Sequence, residues 1–125
     1  MTGVCIVTAT VVTLATQSFT LAWTHSIEKV RWEEDYRVEG RQLAAVAARV
    51  KGSAAGMEPP PGAKLKDGWW HYVPAQKHHD ELRLTRSPYT TDYELCMAGR
   101  CQSLATLAPQ ADGVTRIIAC EAPAQ

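Results

Sequence analysis

The chain has 125 residues, enough for one domain of common size with a modest buried core. Lysine plus arginine equals aspartate plus glutamate at thirteen each, so no basic excess exists to hold a phosphate backbone and no polybasic run to hold an anionic membrane. The expectation is one domain over residues 1–125 that binds no nucleic acid and inserts in no membrane.

The first 27 residues carry no formal charge besides the amino terminus and His25. A spanning helix needs about 20 mostly apolar residues. Here threonine recurs at 8, 10, 13 and 16, and Gln17 and Ser18 interrupt the run. No lysine or arginine precedes the apolar stretch, so the pattern of a secretory signal is missing as well. That leaves a cytoplasmic protein, or one whose leader has been removed. "VCIVTATVV" is rich in β-branched residues, and residues 4 to 14 are expected to form one strand or two short ones.

In "FTLAWTHSIEKV" the alternation is clear. Phe19, Leu21, Trp23, His25 and Ile27 share one face, and Thr20, Ala22, Thr24, Ser26 and Glu28 share the other. "WEEDYRV" continues as a second strand, with Tyr36 and Val38 on one face and Asp35 and Arg37 on the other, and Glu39-Gly40 turns the chain. "RQLAAVAARV", residues 41 to 50, is ambiguous. Alanine favours helix, and Leu43, Val46, Ala47 and Val50 have helical spacing. Leu43, Ala45 and Ala47 keep a strand open. Residues 51 to 68 read as loop, with glycines, three consecutive prolines and no periodicity. Eighteen residues is long for a connection, which marks this loop as functional or mobile.

"WWHYV" is a short aromatic strand ended by Pro74, and "ELRLT" places Leu82 and Leu84 on one face. "YELCM" and "RCQSLATL" form a hairpin, and "ADG" turns into a last strand, "VTRIIAC". Seven to nine short strands with turn signals between them, and at most one short helix, indicate an all-β fold: a small β-sandwich, Ig-like or barrel-like.

The cysteines bear on compartment. A two-residue Ala98-Gly99 loop would set Cys96 opposite Cys101 as a non-hydrogen-bonded pair, where side chains lie close. Cys5 and Cys120 lie near the two chain ends, where a bridge would tie down terminal strands and contribute roughly 2–5 kcal/mol. Four reduced thiols in a cytosolic protein are the alternative. A zinc site is disfavoured because no short C-x2-C knuckle is present.

These residues resemble a family. "FTLAWTHSIEKVRWEEDYRV", "ARVKGSAAGMEPP" and "DGWWHYVP" are similar to a bacterial group of small proteins known only as a domain of unknown function. Its pattern is an aromatic strand ending in His-Ser-Val/Ile-Glu, a Trp-Glu-Glu continuation and a Gly-Ala-Gly-Met loop. His25, Ser26, Ile27 and Glu28 match the first, Trp32, Glu33 and Glu34 the second, and Ala55, Gly56 and Met57 the end of the third. Ala54 stands where the pattern has glycine. The likeness runs over residues 5 to 105. It implies a setting beside TAXI-type TRAP transporters, which import organic anions, and so a periplasmic or cell-envelope location. It implies no catalytic residue and no cofactor.

His25 sits on the apolar face, where it is either a hydrogen-bonded core histidine or a proton carrier near a strand end. Ser26 and Glu28 fall on the opposite face, which argues against a triad made from these three unless a bulge re-aims one. Glu28, Glu33, Glu34 and Asp35 are interleaved with Lys29, Arg31 and Arg37 and lack cation-loop spacing, so a mixed-charge edge strand is the better account. His78 and His79, with Asp80 and His71, suggest zinc or copper, but adjacent strand side chains diverge and Lys77 adds a like charge, so no metal site is assigned. A ligand site, if present, is expected around His25, Ser26, Glu28, Met57 and Trp69, with Arg49 or Lys51 as the anion anchor. The expectation is a non-enzymatic accessory or binding module that recognises a TRAP transporter component or a small organic anion. The alternative is a small hydrolase or isomerase using His25 and a carboxylate.

Overall fold

Period-two alternation turns most of the chain into sheet. A computed structural model describes residues 1–24, 30–52, 60–109 and 113–122. In chain order they form β1 (Thr2–Val7), β2 (Val11–Leu14), β3 (Ser18–Thr24), β4 (Arg31–Glu39), β5 (Gln42–Lys51), β6 (Lys64–Lys66), β7 (Trp69–Tyr72), β8 (His78–His79), β9 (Leu82–Arg86), β10 (Glu94–Met97), β11 (Arg100–Ser103), α1 (Leu104–Leu107) and β12 (Gly113–Glu121). All pairings are antiparallel. The smaller sheet has the order β2-β1-β12-β9 and the larger β11-β10-β3-β4-β5-β7-β6, with β8 paired to β5. The described residues form an all-β fold of two sheets with one short helix. No described helix is long and apolar enough to cross a membrane.

On β3, Phe19 and Leu21 are buried and Trp23 half-buried, as their alternation requires. They meet Tyr36, Glu34 and Trp32 of β4 in register, with the Phe19 and Tyr36 rings stacked at 5.4 Å. Val4, Ile6, Leu82, Leu84 and Ile117 of the smaller sheet close the core from the opposite side. Each such side chain, fully buried, contributes about 1.5–3 kcal/mol.

The ambiguous segment 41–50 is strand. Leu43 pairs with Val38 and Ala45 with Tyr36, yet Ala47 pairs with Asp35 and Ala48 with Glu34. Val46 is therefore an extra residue, a β-bulge. It shifts the inward phase from Leu43 and Ala45 to Ala48 and Val50, all buried. Inward residues spaced two, three and two apart imitate a helical period.

Three further differences have local causes. Within the expected loop 51–68, Lys64–Lys66 pairs with Trp69, Trp70 and His71 across Asp67 and Gly68, whose φ values of 53° and 83° suit a two-residue Asp-Gly hairpin turn. His78 and His79, which fall between the expected strands, pair with Ala44 and Leu43. The end of "RCQSLATL" winds into α1 because the Ser103 hydroxyl accepts from the Ala105 N–H at 3.1 Å and caps the turn. The Ala98-Gly99 turn has both residues at positive φ, 50° and 78°, with Cys96 opposite Cys101.

Arg86 continues the inward series Leu82, Leu84 and is only 4% exposed. Its guanidinium donates to both Asp92 carboxylate oxygens at 3.1 and 2.7 Å, to the Ala108 carbonyl at 2.7 Å and to the Thr115 hydroxyl at 3.2 Å. One buried cation thus ties β9 to β12 and to the end of α1.

The structure joins Cys5 to Cys120 across β1 and β12, and Cys96 to Cys101 across β10 and β11, leaving no free cysteine. Their sequence separations are 115 and 5. Loop-closure entropy then gives about 5 kcal/mol for the first and about 2 kcal/mol for the second. Replacing Cys5 and Cys120 by serine should therefore lower the denaturant midpoint more than replacing Cys96 and Cys101, as equilibrium unfolding will measure. Arg86→Leu should lower unfolding free energy by about 1–3 kcal/mol in the same assay, because the Ala108 carbonyl and the Thr115 hydroxyl lose a buried donor and Asp92 loses its cation.

Candidate functional site

The phase of each strand assigns every side chain on the larger sheet to an outer or an inner face. The outer face carries charge. Arg49 donates to Glu33 at 2.6 Å and to Asp35 at 3.0 and 3.2 Å. Arg31 bridges Glu33 at 2.7 Å and Glu94 at 2.6 Å, and the Thr20 hydroxyl donates to Asp35 at 2.6 Å. These residues form one row across β10, β3, β4 and β5. A groove of about 520 Å³ runs over its Asp35 end, walled by the Cys96–Cys101 hairpin.

Burial opposes ionisation of Glu33, but the hydrogen bonds and charges of Arg31 and Arg49 outweigh it and hold the carboxyl below its ordinary 4.5. Asp35 follows the same balance: burial raises it, and Arg49 and Thr20 hold it below its ordinary 3.8.

Arg49 is therefore paired with two carboxylates. Lys51 is exposed, with its Nζ 5.1 Å from the centre of the Trp69 ring, a cation–π contact across a backbone pair. Of the expected site, Arg49, Lys51 and Trp69 share the outer face, and Lys51 and Trp69 touch. His25, Ser26, Glu28 and Met57 lie outside the described residues, and so does the histidine of the hydrolase or isomerase alternative. Of the other histidines, His78 Nε2 lies 3.0 Å from Glu39, His79 packs edge-on against Tyr36, and His71 is exposed on β7. No three His, Cys, Asp or Glu gather as a metal set among the described residues.

The inner face holds the aromatic chemistry. Between the sheets lies a cleft of about 360 Å³, lined by Leu21, Trp23, Glu34, Tyr36, His79, Glu81, Leu82, Arg83, Leu84 and Tyr93. Leu21, Leu82 and Leu84 are its buried apolar residues. Trp23 stacks on Trp32 at 6.2 Å and tilts against Tyr93 at 6.2 Å, making an aromatic wall. The Tyr36 hydroxyl donates to Glu34 at 2.6 Å. Burial, then that carboxylate, push the Tyr36 phenol well above its ordinary 10.0, so it remains a donor at any physiological pH. Arg83 alternates with the inward Leu82 and Leu84, so it borders the cleft from the outer face of β9, where it and its strand partner Arg116 share Glu81 at 3.5 and 3.7 Å. An apolar body can rest against the wall while a polar group meets Glu34 or Arg83.

Sequence reasoning missed this cleft. Glu34 was findable, because it falls between Trp32 and Tyr36 on the inward phase of β4. Tyr93, His79 and Arg83 reach the cleft through tertiary placement and carried no signal.

The lowered carboxyls give a pH dependence. A folded-state pKa below the unfolded value stabilises the fold above the ordinary carboxylate range, and the contribution is lost as pH falls through the lowered value. Thermal melts should therefore show falling stability from about pH 5 downward. Glu33→Gln with Asp35→Asn should flatten that acid limb and lower stability at pH 7 by about 1 kcal/mol, the partial exposure of the row limiting the effect.

No curated protein and no solved structure matches the chain. A family model described as a domain of unknown function matches residues 19–104, from β3 through the first residue of α1. The match covers more than half of the chain and all of the larger sheet except Ser18, and the chain belongs to the DUF1850 family.

Proposed function

We propose that this chain is a non-enzymatic recognition module of the cell envelope, accessory to a TRAP-type organic-anion transporter, and that the cleft between its sheets holds the ligand or a segment of the transporter's partner component. The observation that carries the reading is the cleft itself: an aromatic wall of Trp23 and Tyr93 over an apolar floor, with Glu34 and Arg83 as the groups that orient what enters. It is concave, and polar and apolar surface share its lining about equally, so it can hold the apolar body and the polar group of one ligand. Two disulfides in a small domain fit an oxidising compartment. The likeness to proteins beside TAXI-type transporters supports the partner.

Recognition here needs no residue to change its covalent state. Trp23 and Tyr93 contribute buried area at low entropy cost. Arg83 exchanges Glu81 for a ligand carboxylate, and Glu34, held by Tyr36, accepts from a ligand donor.

Binding to the folded state alone raises the melting temperature. Melts should therefore shift upward with the transporter's solute-binding component or with members of a panel of small carboxylic acids. Trp23→Ala should weaken that binding at least ~10-fold by calorimetry while circular dichroism stays that of the folded chain. Absence of any shift, or unchanged affinity in Trp23→Ala, overturns the cleft as the site.

A further inference from the structure

Among the described residues the two sheets expose five outer strands: the two-residue β8 (His78–His79) and four others, of which three are guarded by charge. β6 carries Lys64 and Lys66, β9 carries Arg83, and β11 carries Arg100. Such side chains keep an unpaired strand from adding another strand. β2 is different. Among the described residues it is hydrogen-bonded to β1 alone, on one side, and its residues are Val11, Val12, Thr13 and Leu14. No lysine, arginine, aspartate, glutamate or proline stands anywhere in residues 1 to 27.

The strand is also held ready. The turn before it is closed by its own bonds, with the Thr8 N–H donating to the Thr10 carbonyl at 2.8 Å and the Thr10 N–H to the Thr8 hydroxyl at 3.2 Å. Its neighbour β1 is fixed to β12 by the Cys5–Cys120 disulfide, and Cys5 Sγ lies 3.5 Å from the Thr13 hydroxyl. Val12 and Leu14 reach the core yet stay half-buried at the sheet margin, and Val11 is 60% exposed on the other face.

We propose that β2 pairs antiparallel with β2 of a second copy of this chain, joining the two four-stranded sheets into one continuous sheet. A twofold axis perpendicular to the sheet keeps inward residues inward, so paired positions must share a face. The register is therefore centred on Val12 or on Thr13, each meeting its own counterpart. The occupant is argued from charge. A symmetric contact sets a strand against itself, which at β6, β9 or β11 would bring like cations together. Only the β2 edge meets its own copy with valine, threonine and leucine alone. The pairing would satisfy the free backbone groups of β2 and complete the burial of Val12 and Leu14. β2 lies outside residues 19–104, so the contact belongs to this chain's terminal strands rather than to the family match.

Sedimentation equilibrium of the full chain, from micromolar to submillimolar concentration, tests the contact. The expected result is a reversible dimer. Val11→Lys with Thr13→Lys puts cations on exposed positions opposite one another, and Val11→Glu with Thr13→Glu does the same with anions. Each double variant alone should dimerise on the order of 100-fold more weakly, and an equimolar mixture should dimerise again. A wild-type chain that stays monomeric throughout, or a lysine variant that dimerises as before, overturns the proposal. If a variant fails to fold, amide exchange on the wild type decides: protection of Val11–Leu14 should rise with protein concentration, and concentration-independent exchange overturns the pairing.

Discussion

The extra residue in β5 sets the chemistry of both faces of the larger sheet. Without Val46 bulging out of register, Ala48 and Val50 would turn outward and Arg49 would turn into the core, because a one-residue slip inverts every side chain beyond it. With the bulge, Arg49 reaches Glu33 and Asp35 on the outside, and Val50 is fully buried on the inside. The bulge lets one strand begin with its odd positions inward and end with its even positions inward. The ion-pair row on one face and the aromatic cleft on the other both depend on that switch.

The smaller sheet is secured by other means. It has four strands to set against the larger sheet, and two of them lie at opposite ends of the described chain. A disulfide joins β1 to β12, and the buried Arg86 joins β12 to β9. A cation inside a small core adds little net stability by itself. It adds specificity, because only one arrangement of β9, β12 and the end of α1 satisfies all of its donors. The cleft between the sheets opens beside this junction, so β9 supplies Leu82, Leu84 and Arg83 to the site while Arg86 holds the strand in place.

The outer face and the cleft differ in what they leave available. Arg31, Arg49, Glu33 and Asp35 neutralise one another and present a surface with little unspent charge. The cleft keeps an aromatic wall, a carboxylate held by a tyrosine and a rim arginine paired at 3.5 Å. A ligand gains more from displacing water at such a wall than from breaking the tight pairs outside.

Sequence alone determined the class of fold and much of its local order. Alternation at Phe19, Leu21 and Trp23, the Ala98-Gly99 turn and the spacing of Cys96 and Cys101 are local features, and local geometry follows from local chemistry. The inward position of Glu34 was legible on the same ground, and so was that of Arg86, had the period of Leu82 and Leu84 been carried two residues further. Tertiary structure decided the rest. Helix and strand at 41–50 were separated by pairing with β4, since the bulge imitates a helical period when read along one strand. The pairing of Arg49 with Glu33 and Asp35 carried no sequence signal, because those partners lie on another strand. Tyr93, His79 and Arg83 meet Trp23 only after two sheets pack, and no spacing along the chain encodes a contact made between sheets.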